Sequence, residues 1–391
     1  MKHAKKSFVK LLLGLACTAS FGFGAMLPAQ AADEGARKIG FLMPLTGGAG
    51  KLGEMMMQGS TLAVEEINSK HGGAGGRDIQ LLPEDSQATA RVSISGFKRL
   101  SDLEDAEVVI TGWTSVVAAV APLAQTEKVM LISASTASPA IRGVSPYFQS
   151  TWMFDDETVR LLLPYAKENL GVERLGVMTV VSDLGNALAK SVKEEWEKLG
   201  GTLAGEGIHQ QDESNFRPIL LKLLATNPDA IYITGSIGRQ SAQIVRQARE
   251  LGYKGKFLSY GAFEDPEIQA LGELADGAYY ASPSFEVTGD APKTKAFVDA
   301  FKAKHDRLPN VHQANHYDLI YLYKTVVDAL AEKGTEVTGT TFRDYMVKEM
   351  PTYTGAAGTY RFDYSDGSVV RPTSLKTLKD GQFVKVADLV E

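Results

Sequence analysis

The chain has 391 residues, 44% of them apolar and 23% charged. It is too apolar for a disordered protein and long enough for two or three domains. Its 41 basic and 47 acidic residues leave a net charge of −6, which excludes the basic field of a dedicated nucleic-acid binder, and one cysteine, Cys17, excludes an internal disulfide framework or a thiolate zinc site.

Residues 1–31 carry Lys2, Lys5, Lys6 and Lys10 and no acidic residue, then an apolar stretch from Leu11, and end in Ala29-Gln30-Ala31. A basic start, a short apolar middle and an A-x-A end predict a secretory signal peptide cleaved after Ala31. Lipidation of Cys17 is disfavoured, because Gly14 stands where that signal wants leucine. Cleavage removes four lysines and the only cysteine and takes the net charge to −10. A cysteine-free, acidic, exported chain suits an oxidising compartment such as a bacterial periplasm. No later apolar run reaches the roughly 18 residues of a membrane span, so no insertion into the membrane is expected after cleavage.

Beyond the leader, short apolar runs predict strands at 38–43, 78–83, 107–111, 129–133, 174–181, 229–234, 256–259 and 277–281. Near-continuous apolar runs mark strands buried on both faces. Amphipathic helical stretches separate them. Residues 54–70 align Met55, Leu62, Ala63 and Ile67, and residues 186–199 align Leu188, Val192 and Trp196. Such alternation predicts α/β architecture with parallel sheets and right-handed crossovers. A single eight-unit barrel fits poorly, because Tyr147–Thr151 reads as an extended crossing segment. Three helical stretches (293–306, 312–333, 339–349) also follow one another late, before β-rich residues 358–388 with a hairpin at Asp380-Gly381. Two α/β lobes with more than one crossing fit better.

Enzyme signatures fail one by one. The run Thr46–Gly53 resembles a phosphate loop, but Leu45 and Leu52 replace its first glycine and final hydroxyl residue, so it reads as a strand-to-helix loop facing a cleft. His312 and His316 lie four apart on a helix without an identifiable third metal ligand, and a plain helix-face role is favoured. No G-x-S-x-G elbow is present. Asp155-Asp156-Glu157 opens a helix, where carboxylates suit the dipole, so capping is favoured over acid–base work. No catalytic residue, cofactor or metal is expected.

Two segments instead end buried strands with hydroxyl groups: Gly112-Trp113-Thr114-Ser115, running into a helix, and Ser133–Ser138, containing Ser135, Thr136 and Ala137. Ligands of open α/β sheets bind outside the carboxyl ends of strands, and a helix N-terminus offers free N–H groups to an anion. Either segment alone would read as an N-cap or a loop; at successive strand ends, with Trp113 beside one, they predict a carboxylate pocket.

With these residues in view the chain resembles the type I periplasmic solute-binding proteins, the branched-chain amino-acid (Leu/Ile/Val)-binding group of ABC-transporter receptors. The resemblance runs through Lys38–Gly47, Ala63–Asn68, Gly112–Ser115, Ser133–Ser138 and Gly355–Asp363 and covers essentially the whole mature chain. It implies two doubly wound, Rossmann-like lobes joined by a three-segment hinge, a Venus-flytrap, with residues 32–153 and 284–352 in the first lobe and 154–283 and 353–391 in the second. It places carboxylate binding on Ser115 and on Ser135 and its neighbours, and implies ABC permease subunits as partners of a monomeric receptor that binds a small-molecule carboxylate and no nucleic acid.

The departures from that family bear on the ligand. Positions that hold the α-ammonium group in the amino-acid binders fall on Ala137 and Gly261, with Glu264 three residues on; flanking aromatic positions fall on Leu52, Leu184 and Ile237, while Trp113 and Tyr260 could supply an aromatic wall. An unpaired ammonium group buried there would be costly, which suggests an aromatic or keto acid rather than a standard amino acid. The expected mechanism is hinge closure over the ligand, with loops near Asp183-Leu184 and Ser236-Ile237 closing on the first lobe. Rival readings are a sensor of the same fold feeding a signalling receptor, and a periplasmic enzyme.

Overall fold

A computed structural model describes residues 35–235 and 237–389. The expected signal peptide, Cys17 and Ser236 lie outside the described residues. The chain runs β1 (Arg37–Met43), α1 (Gly50–His71), β2 (Ile79–Asp85), α2 (Ala90–Lys98), β3 (Val108–Thr111), α3 (Thr114–Glu127), β4 (Met130–Ser133) and β5 (Phe148–Ser150). These strands form one parallel sheet in the order β2-β1-β3-β4-β5. Its central strands are covered on both faces. Ile39, Phe41, Met43, Ile110 and Ile132 point to one core, and Leu42, Val109 and Leu131 point to the other. That period-two division explains why these strands read as unbroken apolar runs.

After β5 come α4 (Asp155–Glu168), β6 (Arg174–Val180), α5 (Asp183–Lys198), β7 (Thr202–His209), α6 (Arg217–Leu224), β8 (Ala230–Thr234), α7 (Gly238–Glu250), β9 (Lys256–Tyr260), the short α8 (Pro266–Gln269) and β10 (Ala278–Pro283). The chain returns through α9 (Pro292–His305), α10 (Val311–Glu332) and α11 (Gly339–Glu349), whose apolar residues join the first core. It finishes with β11 (Thr352–Gly355), β12 (Gly358–Asp363), β13 (Ser368–Val370), β14 (Thr373–Lys379) and β15 (Gln382–Leu389). The second sheet runs β15-β14-β10-β9-β8-β6-β7, parallel except for the last two strands of the chain. The β14–β15 hairpin turns at Asp380-Gly381, both with positive φ (53° and 70°), as a two-residue turn of this kind requires.

Three elements differ from the sequence reading. Strand β7 lies at the sheet edge with only two of its eight residues buried, so it has no apolar run to announce it. Residues 148–150, read as a crossing segment, form the fifth strand of the first sheet, and the crossing begins after them. Residues 353–370, expected in the second lobe, build a separate antiparallel sheet, β11-β12-β13, that packs on first-lobe elements. Asp318 of α10 accepts the Ala356 and Ala357 N–H groups at 2.6 and 2.8 Å, Gly143 N–H donates to Asp366 O, and Ser150 N–H donates to Gly367 O. The buried polar groups of α10 and the edge of β5 need partners, and this sheet supplies them.

The chain passes between the lobes at 151–154, after β10, and at 371–372. Arg371, 4% exposed, ties these passages together: its guanidinium donates to Thr151 O (3.2 Å), Asn315 Oδ1 (2.5 Å) and Ala357 O (2.6 Å), and lies 4.2 Å above the Tyr360 ring. The Tyr360 hydroxyl sits 2.8 Å from Asp318 Oδ2, and a Cβ on Gly355 would fall 2.2 Å from the Asp318 carboxyl carbon, so glycine permits that approach. Ser284 N–H donates to Pro372 O (2.8 Å), and Thr373 Oγ1 donates to Met153 Sδ. Replacing Arg371 with Met should strand three acceptors and the buried Asp318 charge and cost about 3–5 kcal/mol in denaturant unfolding; a loss under about 1 kcal/mol would show that the hinge does not rely on it.

Candidate functional site

The site is built from strand ends. In the first lobe β1, β3 and β4 are neighbours, with Leu42 beside Thr111 and Thr111 beside Ser133, so the loops that follow them converge. The chain leaves β1 toward β2 on one side and β3 on the other, which makes this the crevice of the sheet. In the second lobe β6, β8 and β9 are also neighbours, and the loops and helix starts after them carry Leu184, Ile237 and Tyr260–Gly261.

Leu52, near the start of α1, is half-buried against the first core. Trp113, with φ 64° and ψ 135°, occupies a backbone region that a non-glycine residue adopts only at a cost of about 1–3 kcal/mol, and its indole packs between the two first-lobe cores. Thr114 begins α3 and is buried, and no side chain caps the helix, so neither Thr114 nor Ser115 serves as N-cap. The Ser115 hydroxyl donates to Ala88 O at 2.9 Å, which leaves the backbone N–H groups of α3 as this segment's donors to an anion.

Ser135 differs from its neighbours. Its Oγ is buried without a protein partner and lies only 2.1 Å from where a Cβ on Gly112 would stand, so it presses on the loop between β3 and α3. Thr136 is buried and its hydroxyl pairs with Ser133 at 2.6 Å, a contact within the loop. Ala137 is buried in the first core, and its carbonyl accepts the Asp155 N–H at 2.6 Å.

The two lobes touch across the site. Leu184, beginning α5, packs against both the second-lobe core and the core shared by the first lobe and Trp152. Ile237 Cδ1 stands 3.5 Å from where a side chain on Gly48 would begin, and Lys51 reaches Glu267 at 3.4 Å. Tyr260 is buried against the second core. The structure therefore sets Trp113, Thr114 and Ser135 at neighbouring strand ends of the first lobe, Leu52 near the start of α1, and Leu184, Ile237 and Tyr260 at strand ends and helix starts of the second.

Trp152 escaped the sequence reading, and the structure gives Glu264, His312, His316 and Asp155 surroundings that the sequence did not reveal. A Cβ on Gly261 would fall 2.8 Å from Trp152 Cζ2, and Trp152 stacks on His312 with ring centroids 4.8 Å apart. The indole thus fills the space beside Gly261. Glu264 is not free, because Lys376 Nζ (2.7 Å) and the Tyr280 hydroxyl (3.2 Å) both hold its Oε2. His312 and His316 are buried in the first lobe rather than on a solvated helix face, and no metal-binding cluster of three ligands occurs among the described residues. Asp155 departs from the expected capping role. Asp156 and Glu157 pair with Arg142 and Arg160, whereas Asp155 is fully buried with both carboxylate oxygens unpartnered. Burial, and then the neighbouring Asp156 charge, raises it well above the usual carboxylate range.

This is the arrangement of a two-lobed α/β protein whose strand-end segments meet between the lobes. Residues 37–382 match the periplasmic binding protein family, and the chain belongs to it, in the type I branched-chain amino-acid group of solute-binding proteins rather than of enzymes. The leucine-, isoleucine-, valine-, threonine- and alanine-binding protein of Pseudomonas aeruginosa is 24% identical over 339 residues, 85% of this chain and 87% of that protein. The leucine-binding protein of Thermotoga maritima superposes with a TM-score of 0.82 at 24% identity, covering 90% of this chain and 98% of that one. An ABC-transporter solute-binding protein of R. palustris in complex with benzoate superposes with a TM-score of 0.80 at 20% identity, covering 91% and 96%.

His312 yields a pH prediction. Burial, with a smaller contribution from the Lys376 charge, lowers it from its ordinary 6.5 to about 4. The unfolded chain therefore takes up this proton first, and the stability held above about pH 6.5 is lost as pH falls toward about 4. That loss is about 3 kcal/mol for this group. His312→Phe, which keeps a ring on Trp152, should lose about 3 kcal/mol less than wild type in urea unfolding between pH 7 and pH 4. Identical pH profiles would remove His312 from the acid response.

Proposed function

We propose that the protein is the extracytoplasmic receptor of an ABC importer and closes over a small apolar organic carboxylate. The carrying observation is Ser135: a hydroxyl buried without a protein partner, at the strand end beside the uncapped N-terminus of α3. A carboxylate seated there would accept hydrogen bonds from the Ser135 hydroxyl and the α3 N–H groups, neutral donors that compensate its desolvation without a buried counter-charge. Leu52, Trp113, Leu184, Ile237 and Tyr260 suit an apolar body. The ligands named for the relatives, branched-chain amino acids and benzoate, share a carboxylate on such a body and support this reading. Closure follows because only the closed state lets one ligand meet both lobes, and a membrane permease would read that state. No helix among the described residues is long and apolar enough to cross a membrane, which suits a protein released into the periplasm after cleavage at Ala31. Positions 137 and 261 provide no ammonium ligand and favour an aromatic or keto acid.

Native mass spectrometry of protein purified from its own host should weigh a co-purified acid, and a thermal-shift panel of amino, keto and aromatic acids should reveal its class. A ligand at about 100 times its Kd adds about 2.7 kcal/mol of stability. Ser135→Ala should weaken binding by about 1–3 kcal/mol in titration calorimetry, and by more than Ser115→Ala, whose hydroxyl already serves Ala88 O. Unchanged affinity in Ser135→Ala would remove the carboxylate from this loop.

A further inference from the structure

The second lobe carries a groove that shares no residue with the strand-end site. It lies between α7, α8 and the start of α6, and Ser214, Asn215, Arg217, Arg239, Gln243 and Arg246 are among the residues lining its volume of about 620 Å³. Its wall is fixed from inside. Phe216 is fully buried in the second-lobe core, and its N–H donates to Gln247 Oε1 (2.8 Å). Gln247 Nε2 donates to Ser214 O (2.8 Å), and Gln240 Nε2 donates to Gln211 O (2.7 Å). The loop ahead of α6 is thereby clipped to α7 at two points. The acids of this surface are already committed. Glu250 pairs with Arg217, and Glu267 pairs with Lys51. Glu213 accepts the Ser214 and Asn215 N–H groups (both 2.9 Å), and Asp265 caps α8 through the Glu267 N–H (2.8 Å). Arg239 and Arg246 are exposed and, like Gln243 between them, have no side-chain partner among the described residues. A chain of net charge −6 thus keeps two free guanidinium groups and a free amide along one wall of a preformed groove.

The spacing of these groups selects the occupant. Arg239 and Arg246 are two helical turns apart on one face of α7, so their Cα atoms stand about 10 Å from each other. One small anion cannot span that separation, and a flat bilayer does not enter a groove. A polyproline-II segment has about three residues per turn and rises about 3.1 Å per residue, so acids three apart place their carboxylates about 9 Å apart on one side. Its backbone amides make no internal hydrogen bonds and stay open to a group such as Gln243. Guanidinium groups take carboxylates in bidentate pairs. We propose that this groove docks an extended acidic segment of a partner protein, with carboxylates on Arg239 and Arg246 and the backbone on Gln243. This goes beyond the carboxylate reading of the cleft and does not depend on which acid the cleft holds.

The test is fluorescence polarisation of the purified protein with a labelled peptide of Glu-Pro-Pro repeats. The expected result is saturable binding, at least about tenfold tighter than that of the matching Gln-Pro-Pro peptide. A peptide of the same composition with its glutamates made contiguous should bind about threefold or more weaker, because its carboxylates no longer match the spacing. Replacing both arginines together, Arg239→Gln with Arg246→Gln, should lower affinity for the repeat peptide by about tenfold or more. That variant should melt at the wild-type temperature, since neither side chain makes an internal contact. No binding of the repeat peptide, equal binding of either control peptide, or an unchanged affinity in the double variant would overturn the proposal. A clearly lower melting temperature would assign the arginines to the fold and overturn it as well. Polyphosphate and phosphatidylglycerol vesicles form the competing arms. Tighter binding of either through the same two arginines would give the groove to a different anion and overturn the peptide assignment, leaving the reading of the cleft intact.

Discussion

The structure depends on a buried polar knot where the chain passes between its lobes. Arg371, Asn315, Asp318 and Tyr360 join the first passage, at Thr151, to the third, at 371–372, and to the central helix α10. Buried charges survive in a protein interior only when nearly every donor and acceptor is matched, and here the Ala356 and Ala357 N–H groups and the Tyr360 ring complete much of the set. The small sheet β11-β12-β13 is the scaffold of that knot. It ends with Val370, one residue before Arg371, and it brings Gly355–Ala357 against Asp318. A hinge held this way fixes the point about which two otherwise separate sheets can approach each other.

Each sheet then contributes the same feature, the carboxyl ends of three adjacent parallel strands, but with different chemistry. The first lobe offers hydroxyl and backbone N–H groups around Thr111–Ser115 and Ser133–Ala137. The second offers Leu184, Ile237 and Tyr260. Under the proposed function an anion would meet its hydrogen bonds on one side and have its apolar body covered from the other, so the full contact would exist only with the lobes together. The strain held in Trp113, and the left-handed backbone of Gln87 and Ala88 beside the α3 terminus, belong to the side that would make the polar contacts, where fixed geometry matters most.

Much of this organisation was legible in the residues. Buried parallel strands announce themselves as apolar runs, and the ends of two such runs, at 111–115 and 133–138, carry hydroxyl residues. Edge strand β7 was not legible, because a strand with a wet face carries a diluted signal. Residues 353–370 were assigned to the wrong lobe, because an antiparallel hairpin reads the same whichever core it covers, and only the unsatisfied groups of α10 decide where it docks. Asp155 was read as a helix-capping acid because sequence places it among Asp156 and Glu157. Its burial, and the turning of Arg142 and Arg160 toward its neighbours, are products of packing.

What the sequence determined by itself is therefore the local pattern: alternating strands and helices, two lobes, and which strand ends carry hydroxyl groups. These follow from periodicities and end signals that need only a few consecutive residues. What the tertiary structure alone decided is which polar groups are left without partners. Ser135, Asp155 and Tyr232 lie at widely separated positions in the chain, and the indole of Trp152 fills the space beside Gly261 from another segment altogether. Whether a buried hydroxyl or carboxylate is satisfied depends on every group within about 3 Å of it. That neighbourhood is assembled by folding and cannot be read along the chain.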